Sequence, residues 1–225
     1  INGPSSSGKS TLCRALQDHL ADLAAGDSDA IFARVAFDDF LLLMSDKLYP
    51  ISFVGLRGGD TSRLVSEVPH DGRAGWEYVE ESEIAAEPDG KPRLRLELSP
   101  GARRLLRGAH RSWGAHLDLG TNLIIDHFLQ EKEWCEEVTA ILRDTGARIF
   151  MVGVFCSVDE LERRESSRGD GGVEGRPLGL ARRSSELCHA HDLDYDVTIR
   201  TDKQTTSESV DAILTALGET GFLRY

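Results

Sequence analysis

Nine residues near the amino end, Gly3 to Thr11 (GPSSSGKST), have the types and spacing that phosphate chemistry needs. They satisfy G-x-x-x-x-G-K-[ST] at every fixed position, with Gly3, Gly8, Lys9 and Ser10 in place and Thr11 adding a second hydroxyl. The glycines let the backbone turn tightly, so that successive amide N–H groups converge on phosphate oxygens. The pattern predicts that Gly3, Ser6, Ser7, Gly8, Lys9, Ser10 and Thr11 border a bound nucleotide. Lys9 is expected against the β and γ phosphates and the Ser10 hydroxyl on Mg²⁺. A helix must start here to add its positive end to the anion site, and Leu12, Ala15, Leu16, Leu20 and Leu23 recur at helical spacing over Thr11–Leu23.

Two sets of acids could complete a transfer reaction. Ala30 to Phe37 (AIFARVAF) reads as a buried strand ending at Asp38 and Asp39, on the edge where open α/β sheets bind ligands. One of the pair is expected to serve an acceptor hydroxyl as base or orienting carboxylate. The other is expected to cap a helix starting at Phe40; spacing alone does not say which does which. Further on, LIIDHF is an apolar strand ending in Asp126, a Walker-B position that would hold Mg²⁺ through water.

A third feature is cationic. From Arg163 the chain is rich in arginine and glycine (RRESSRGDGGVEGRPLGLARRS), and Arg163, Arg164, Arg168, Arg176, Arg182 and Arg183 concentrate positive charge in an acidic protein. A lid over about 163–183 would bring arginines to the transferring phosphoryl group and exclude water, with Arg164 and Arg168 placed best on the helix side of the hinge. The competing reading is a solvated loop paired with Glu162, Glu165, Asp170 and Glu174. His189 and His191 lack a third ligand at useful spacing and read as surface or capping residues. The loop Thr201–Gln204 is expected to border the nucleotide base.

The elements that must position these groups alternate strand and helix. Strands are predicted at 149–155 and 195–201, and helices at 131–145, 159–167, 180–189 and 210–217. Ser99 and Pro100 open a helix to about Leu117, with Arg103, Arg104, Arg107 and Arg111 on its solvated side. From about 47 to 100 helical periodicity is lost, and GWEYVEES (75–82) and RLRLEL (93–98) alternate as a hairpin turning at Asp89 and Gly90. Its aromatics, with Tyr49 and Phe53, either wall an acceptor pocket (Trp76, Tyr78) or pack on one another.

The expected fold is therefore α/β: a P-loop kinase-like three-layer α/β/α domain over 1–225, with a central mainly parallel sheet, an inserted β-hairpin and irregular region, and an Arg-rich lid. A net charge of −12 argues against nucleic acid as partner. Four scattered cysteines without a C-x-x-C pair fit reduced thiols in a cytoplasmic protein, and neither a membrane span nor a leader is visible.

NGPSSSGKS, FDDFLLLM, LIIDHF and VGVFCSVDELERRESSRGD followed by YDVTIRTD together resemble the chloramphenicol phosphotransferase family of P-loop kinases. The resemblance spans nearly the whole chain apart from the insertion. It implies transfer from ATP, with Mg²⁺, to a hydroxyl of a small molecule such as an antibiotic or related natural product. With Met44 in register, it puts the catalytic aspartate at Asp38 and the lid arginines at Arg164 and Arg168. The insertion is longer than family members need and falls where the acceptor binds, so the acceptor does not carry over. A guanine-reading N-K-x-D is absent from the sequence. The remaining alternatives are a metabolic or nucleoside/nucleotide kinase of the same fold and a non-catalytic nucleotide-binding protein.

Overall fold

Two pairs of parallel strands are joined through a single buried asparagine. The computed structural model describes residues 1–24, 27, 30–44, 75–80, 93–167 and 178–222. Strand β1 (Phe32–Ala36) pairs with β4 (Asn122–Asp126), and β5 (Val152–Phe155) with β6 (Val197–Arg200). Asn2 bridges His127 on one side and Gly153 on the other, both in parallel. Backbone bonds run from His127 to Ile1 (3.0 Å), from Asn2 to Val152 (2.9 Å) and from Val154 to Asn2 (2.7 Å). The Asn2 side chain adds bonds to Cys188 O (2.7 Å) and Tyr195 Oη (2.8 Å) and accepts from Leu129 N (3.0 Å). A buried amide with all of this satisfied fixes the strand order β1, β4, Asn2, β5, β6 at the point where the phosphate loop departs.

Helices cover both faces. On one, α1 (Lys9–Leu23) packs Leu12, Leu16 and Leu20 with Ile213 and Leu217 of α7 (Thr206–Glu219) over Ile124, Val154 and Ile199. On the other, Trp113 of α3 (Pro100–Asp118) and Cys135, Val138 and Leu142 of α4 (Lys132–Asp144) meet Leu123 and Ile125. Successive side chains of β4 thus go to opposite layers, as the two-residue period of a strand requires when both faces are covered. Helix α5 (Val158–Ser167) and helix α6 (Leu180–Leu187) follow β5. No described helix is long and apolar enough to cross a membrane.

The hairpin is present: β2 (Trp76–Glu80) runs antiparallel to β3 (Leu94–Leu98), Trp76 opposite Leu98. Trp76, Leu96 and Leu98 are buried against Phe37 and Phe40, Ala102 and Leu106, and Phe128 and Trp134. Trp76 and Tyr78 also stack edge to face at 5.2 Å. Along the outer side of β3, the Gln130 amide accepts from Leu96 N (3.2 Å) and donates to Leu96 O (2.7 Å), and Leu94 N donates to Gly179 O (3.2 Å). The expected turn at Asp89 and Gly90, together with Tyr49, Phe53 and Arg168, lies outside the described residues.

Three of the boundaries that differ from expectation have a local cause. Helix α2 (Phe37–Leu41) starts three residues before Phe40, so Asp38 and Asp39 occupy its first turn, where negative charge is stabilised by the helix dipole. Strand β5 starts at Val152 and not at Ile149, because the Asp196 carboxylate accepts from Met151 N (2.6 Å) and stands where a ladder partner would. Helix α7 starts at Thr206 because Thr205 and Glu208 form a reciprocal capping box, Glu208 N to Thr205 Oγ1 at 3.2 Å and Thr205 N to Glu208 Oε2 at 2.7 Å.

Candidate active site

The phosphate loop is fixed mainly by contacts of its own backbone. A side chain at Gly3 would lie 2.5 Å from Val154 O, so only glycine allows the loop to leave the sheet here. Gly8, the residue before α1, has φ +87°, and Ser6 has φ +62°, an unusual value for a side-chain-bearing residue. Lys9 is only 9% exposed and its Nζ donates to Pro4 O at 2.9 Å. The hydroxyl oxygens of Ser6 and Ser7 are buried with no hydrogen-bond partner among the described residues. Buried hydroxyls in that state, beside first-turn amides that have no intrahelical acceptor, fit an anion.

The acids meet this loop in one cleft. Ala36 is level with Asp126 across the β1/β4 pair, so the first turn of α2 begins beside the end of β4. A single cleft is lined by Ser6, Ser7, Gly8, Lys9, Ser10 and Thr11 together with Asp38 and Asp126. Arg14, Phe37 and Phe128 complete the lining. The neighbouring aspartates have separated tasks: Asp39 Oδ2 accepts from Ala36 N at 3.1 Å and closes the back of α2, while Asp38 lines the cleft. Since Ala36 has no side-chain oxygen to return the bond, Asp39 supplies the whole of this cap. Ser10 and Asp126 offer a hydroxyl and a carboxylate oxygen, the hard donors that Mg²⁺ takes when phosphate and water supply the rest.

Arg164 is brought to the opposite side of the loop. Its Nε donates to Glu160 (2.7 Å), Nη1 to Thr201 Oγ1 (3.1 Å) and Ser7 O (3.4 Å), and Nη2 to Thr201 O (2.8 Å). Thr201 Oγ1 in turn donates to Ser7 O at 2.7 Å. Most of the guanidinium's in-plane N–H groups are thus committed to protein acceptors beside Ser7 and Gly8. The loop Thr201–Gln204, expected beside the nucleotide base, touches the phosphate loop through Thr201. Glu160, held by Arg163 and Arg164, has its carboxyl lowered to about 2. Arg182 pairs with Glu162 (2.5 Å) and Arg183 with Glu186 (2.8 Å), whereas Glu165 accepts from the backbone N–H groups of Gly179 (2.8 Å) and Ala181 (2.7 Å).

Sequence reasoning missed a buried chain of rings behind Asp126. His110 Nδ1 lies 2.9 Å from Glu137 Oε1, and His110 Nε2 lies 3.0 Å from His127 Nε2. Glu137 is also held by Arg107 at 2.6 Å. A carboxylate can only accept, so His110 Nδ1 carries hydrogen toward Glu137, and the neutral ring accepts from His127. Burial pushes both imidazoles below their ordinary range, His127 well below. His127 packs 5.3 Å from the Phe37 ring, next to Asp38. Arg14 was open to discovery, since it follows Ser10 and Thr11 by four and three residues on one helix face. His189 bonds to Tyr195 Oη (2.7 Å) and Val154 O (3.2 Å), and His191 to Gln130 O (3.0 Å).

A family model described as Chloramphenicol phosphotransferase-like protein matches residues 1–218. Two Mycobacterium tuberculosis proteins, each named "Putative O-phosphotransferase" and coming from strains CDC 1551 and H37Rv, are 28% identical over 201 residues, covering 89% of this chain and 73% of theirs. The solved structure of Mycobacterium tuberculosis APS kinase CysC, in complex with AMPPNP and APS, has a TM-score of 0.52 at 12% identity, covering 96% of this chain and 94% of that one, a likeness of fold. The chain belongs to the chloramphenicol phosphotransferase-like family and is a phosphotransferase built on the P-loop kinase fold.

Proposed function

We propose that this protein moves the γ-phosphoryl group of ATP to a hydroxyl of a small molecule. The observation that carries the reading is one cleft lined by Lys9, Ser10, Asp38 and Asp126, with the buried hydroxyls of Ser6 and Ser7 beside it and without hydrogen-bond partners among the described residues. The loop amides and Lys9 bind the phosphates. Ser10 and Asp126 would hold Mg²⁺, which when bound neutralises charge on the β and γ oxygens. Asp38 accepts the proton of the acceptor hydroxyl as its oxygen attacks phosphorus and the bond to the β-bridging oxygen breaks, releasing ADP. Arg164 steadies the loop at Ser7, and Arg168, in a lid over about 163–183, meets the transferring group.

The AMPPNP in the related APS kinase fold supports ATP as donor. The family supports a hydroxylated antibiotic or related natural product as acceptor, bound near the 47–100 insertion of a single domain, and four free cysteines fit a cytoplasmic setting. Purified protein given ATP and magnesium should release ADP with at least one member of a panel of hydroxylated antibiotics, sugars and nucleosides. Mass analysis of the product identifies the acceptor. A metabolic kinase would respond to a sugar or nucleoside and not to the antibiotics. Failure to bind ATP or release ADP with any acceptor would overturn the reading.

A further inference from the structure

We propose that Glu165 and Ser184 are positioning residues for the nucleotide, acting through the phosphate loop from behind; this rests on the nucleotide reading above. Glu165 is 1% exposed. Its two oxygens take the backbone N–H groups of Gly179 and Ala181, at 2.8 and 2.7 Å, and so fix the start of α6. The far end of that helix is fixed by Asn2, whose amide donates to Cys188 O at 2.7 Å. Between these two anchors Ser184, also 1% exposed, accepts from the Ser5 amide of the phosphate loop at 3.0 Å and donates to Ala181 O at 3.0 Å.

The Ser5 amide is therefore turned toward α6, and this bond orients the Pro4–Ser5 peptide, one residue before Ser6. Ser6 is the residue held at φ +62°. A strained backbone of that kind persists only where its surroundings over-determine it. Arg164, the residue preceding Glu165 on α5, holds the other side of the strained residue through Ser7 O at 3.4 Å. Adjacent side chains on one helix thus secure the loop at two points, one directly and one through α6. A loop already set in its binding form spares the nucleotide the cost of ordering it, so loosening either point weakens binding. Because Leu94 N also donates to Gly179 O at 3.2 Å, the same helix ties the hairpin to this support.

Calorimetric titration with ADP and magnesium tests the proposal without knowledge of the acceptor. Ser184→Ala should weaken ADP binding by about five- to tenfold, from loss of one buried hydrogen bond that keeps the loop in form. Glu165→Gln, which can accept at only one oxygen, should shift affinity in the same direction. Ser184→Thr, which keeps the hydroxyl, should bind within about twofold of the unmodified protein. Ser184→Cys, with a weak acceptor, is read in the same way as alanine should the alanine variant fail to melt cooperatively. A residue that served only packing would lower the melting temperature and leave ADP affinity unchanged, and that result in Ser184→Ala and Glu165→Gln would overturn the assignment. Equal binding by the variants leaves the kinase reading intact, whereas no binding by the unmodified protein removes both.

Discussion

The two sides of the cleft are held in different ways. On the donor side, the loop from Gly3 to Thr11 is set by main-chain contacts: close approach to Val154, a left-handed Gly8, Lys9 on Pro4 O, and Ser5 and Ser7 bonded from behind. On the side proposed to meet the acceptor, Asp38 rides on a five-residue helix closed by one bond from Ala36 N to Asp39, and the chain then leads to Leu43, 72% exposed. Phosphates look alike in every nucleotide, so a fixed shape recognises them well. Acceptors differ, and in the proposed reading they meet Asp38 on a short helix of its own, apart from the main-chain contacts that set the loop.

The contrast can be broken most decisively at Lys9. Lys9→Ala should weaken ATP binding by about a hundredfold or more and abolish turnover, because a buried charge-assisted contact to phosphate is lost. Titration calorimetry and ADP release measure the two losses, and retained tight binding would mean that the donor side lies elsewhere. Asp38→Asn should leave ATP affinity within about twofold and lower turnover by about 10²–10⁴. Equal turnover would remove the base from the acceptor side.

Smaller effects sharpen the division of labour. Asp39→Ala should cost about 1 kcal/mol in denaturant unfolding through loss of the cap, with a much smaller effect on turnover than Asp38→Asn. The opposite ranking would exchange the two aspartates. The weakest effect belongs to the ring chain behind Asp126. His110 and His127 are held below the ordinary imidazole value of 6.5, so as pH falls below that value the unfolded chain takes up protons before the native one. Stability should therefore be retained above about pH 6.5 and decline progressively as pH falls below it. A His110→Phe, His127→Phe double variant should show a shallower decline in denaturation midpoint, and an unchanged slope would assign the loss to other groups.

How much of this was legible in the sequence follows from distance along the chain. The phosphate loop, its helix and the parallel strands were legible because each is written in a run of consecutive residues, and β4 ending at Asp126 was legible for the same reason. The start of α2 was not, since strand propensity in AIFARVAF masks the acidic first turn that stops the strand at Ala36. The separation of Asp38 from Asp39 was half visible: spacing gave a cap and a site residue without saying which, the resemblance favoured Asp38, and the bond from Ala36 N to Asp39 assigns the cap. Ser184 and Ser5 stand 179 residues apart, and His110 and Glu137 27 apart, with no local pattern to join them. Contacts of that kind depend on packing, which periodicity does not encode.

The Gln130 side chain has one more consequence. By donating and accepting at Leu96 as a neighbouring strand would, while Gly179 takes Leu94 N, it leaves little of the outer margin of β3 open for another polypeptide to join. A ribbon sealed in this way along its described margin runs less risk of pairing with a second copy of itself.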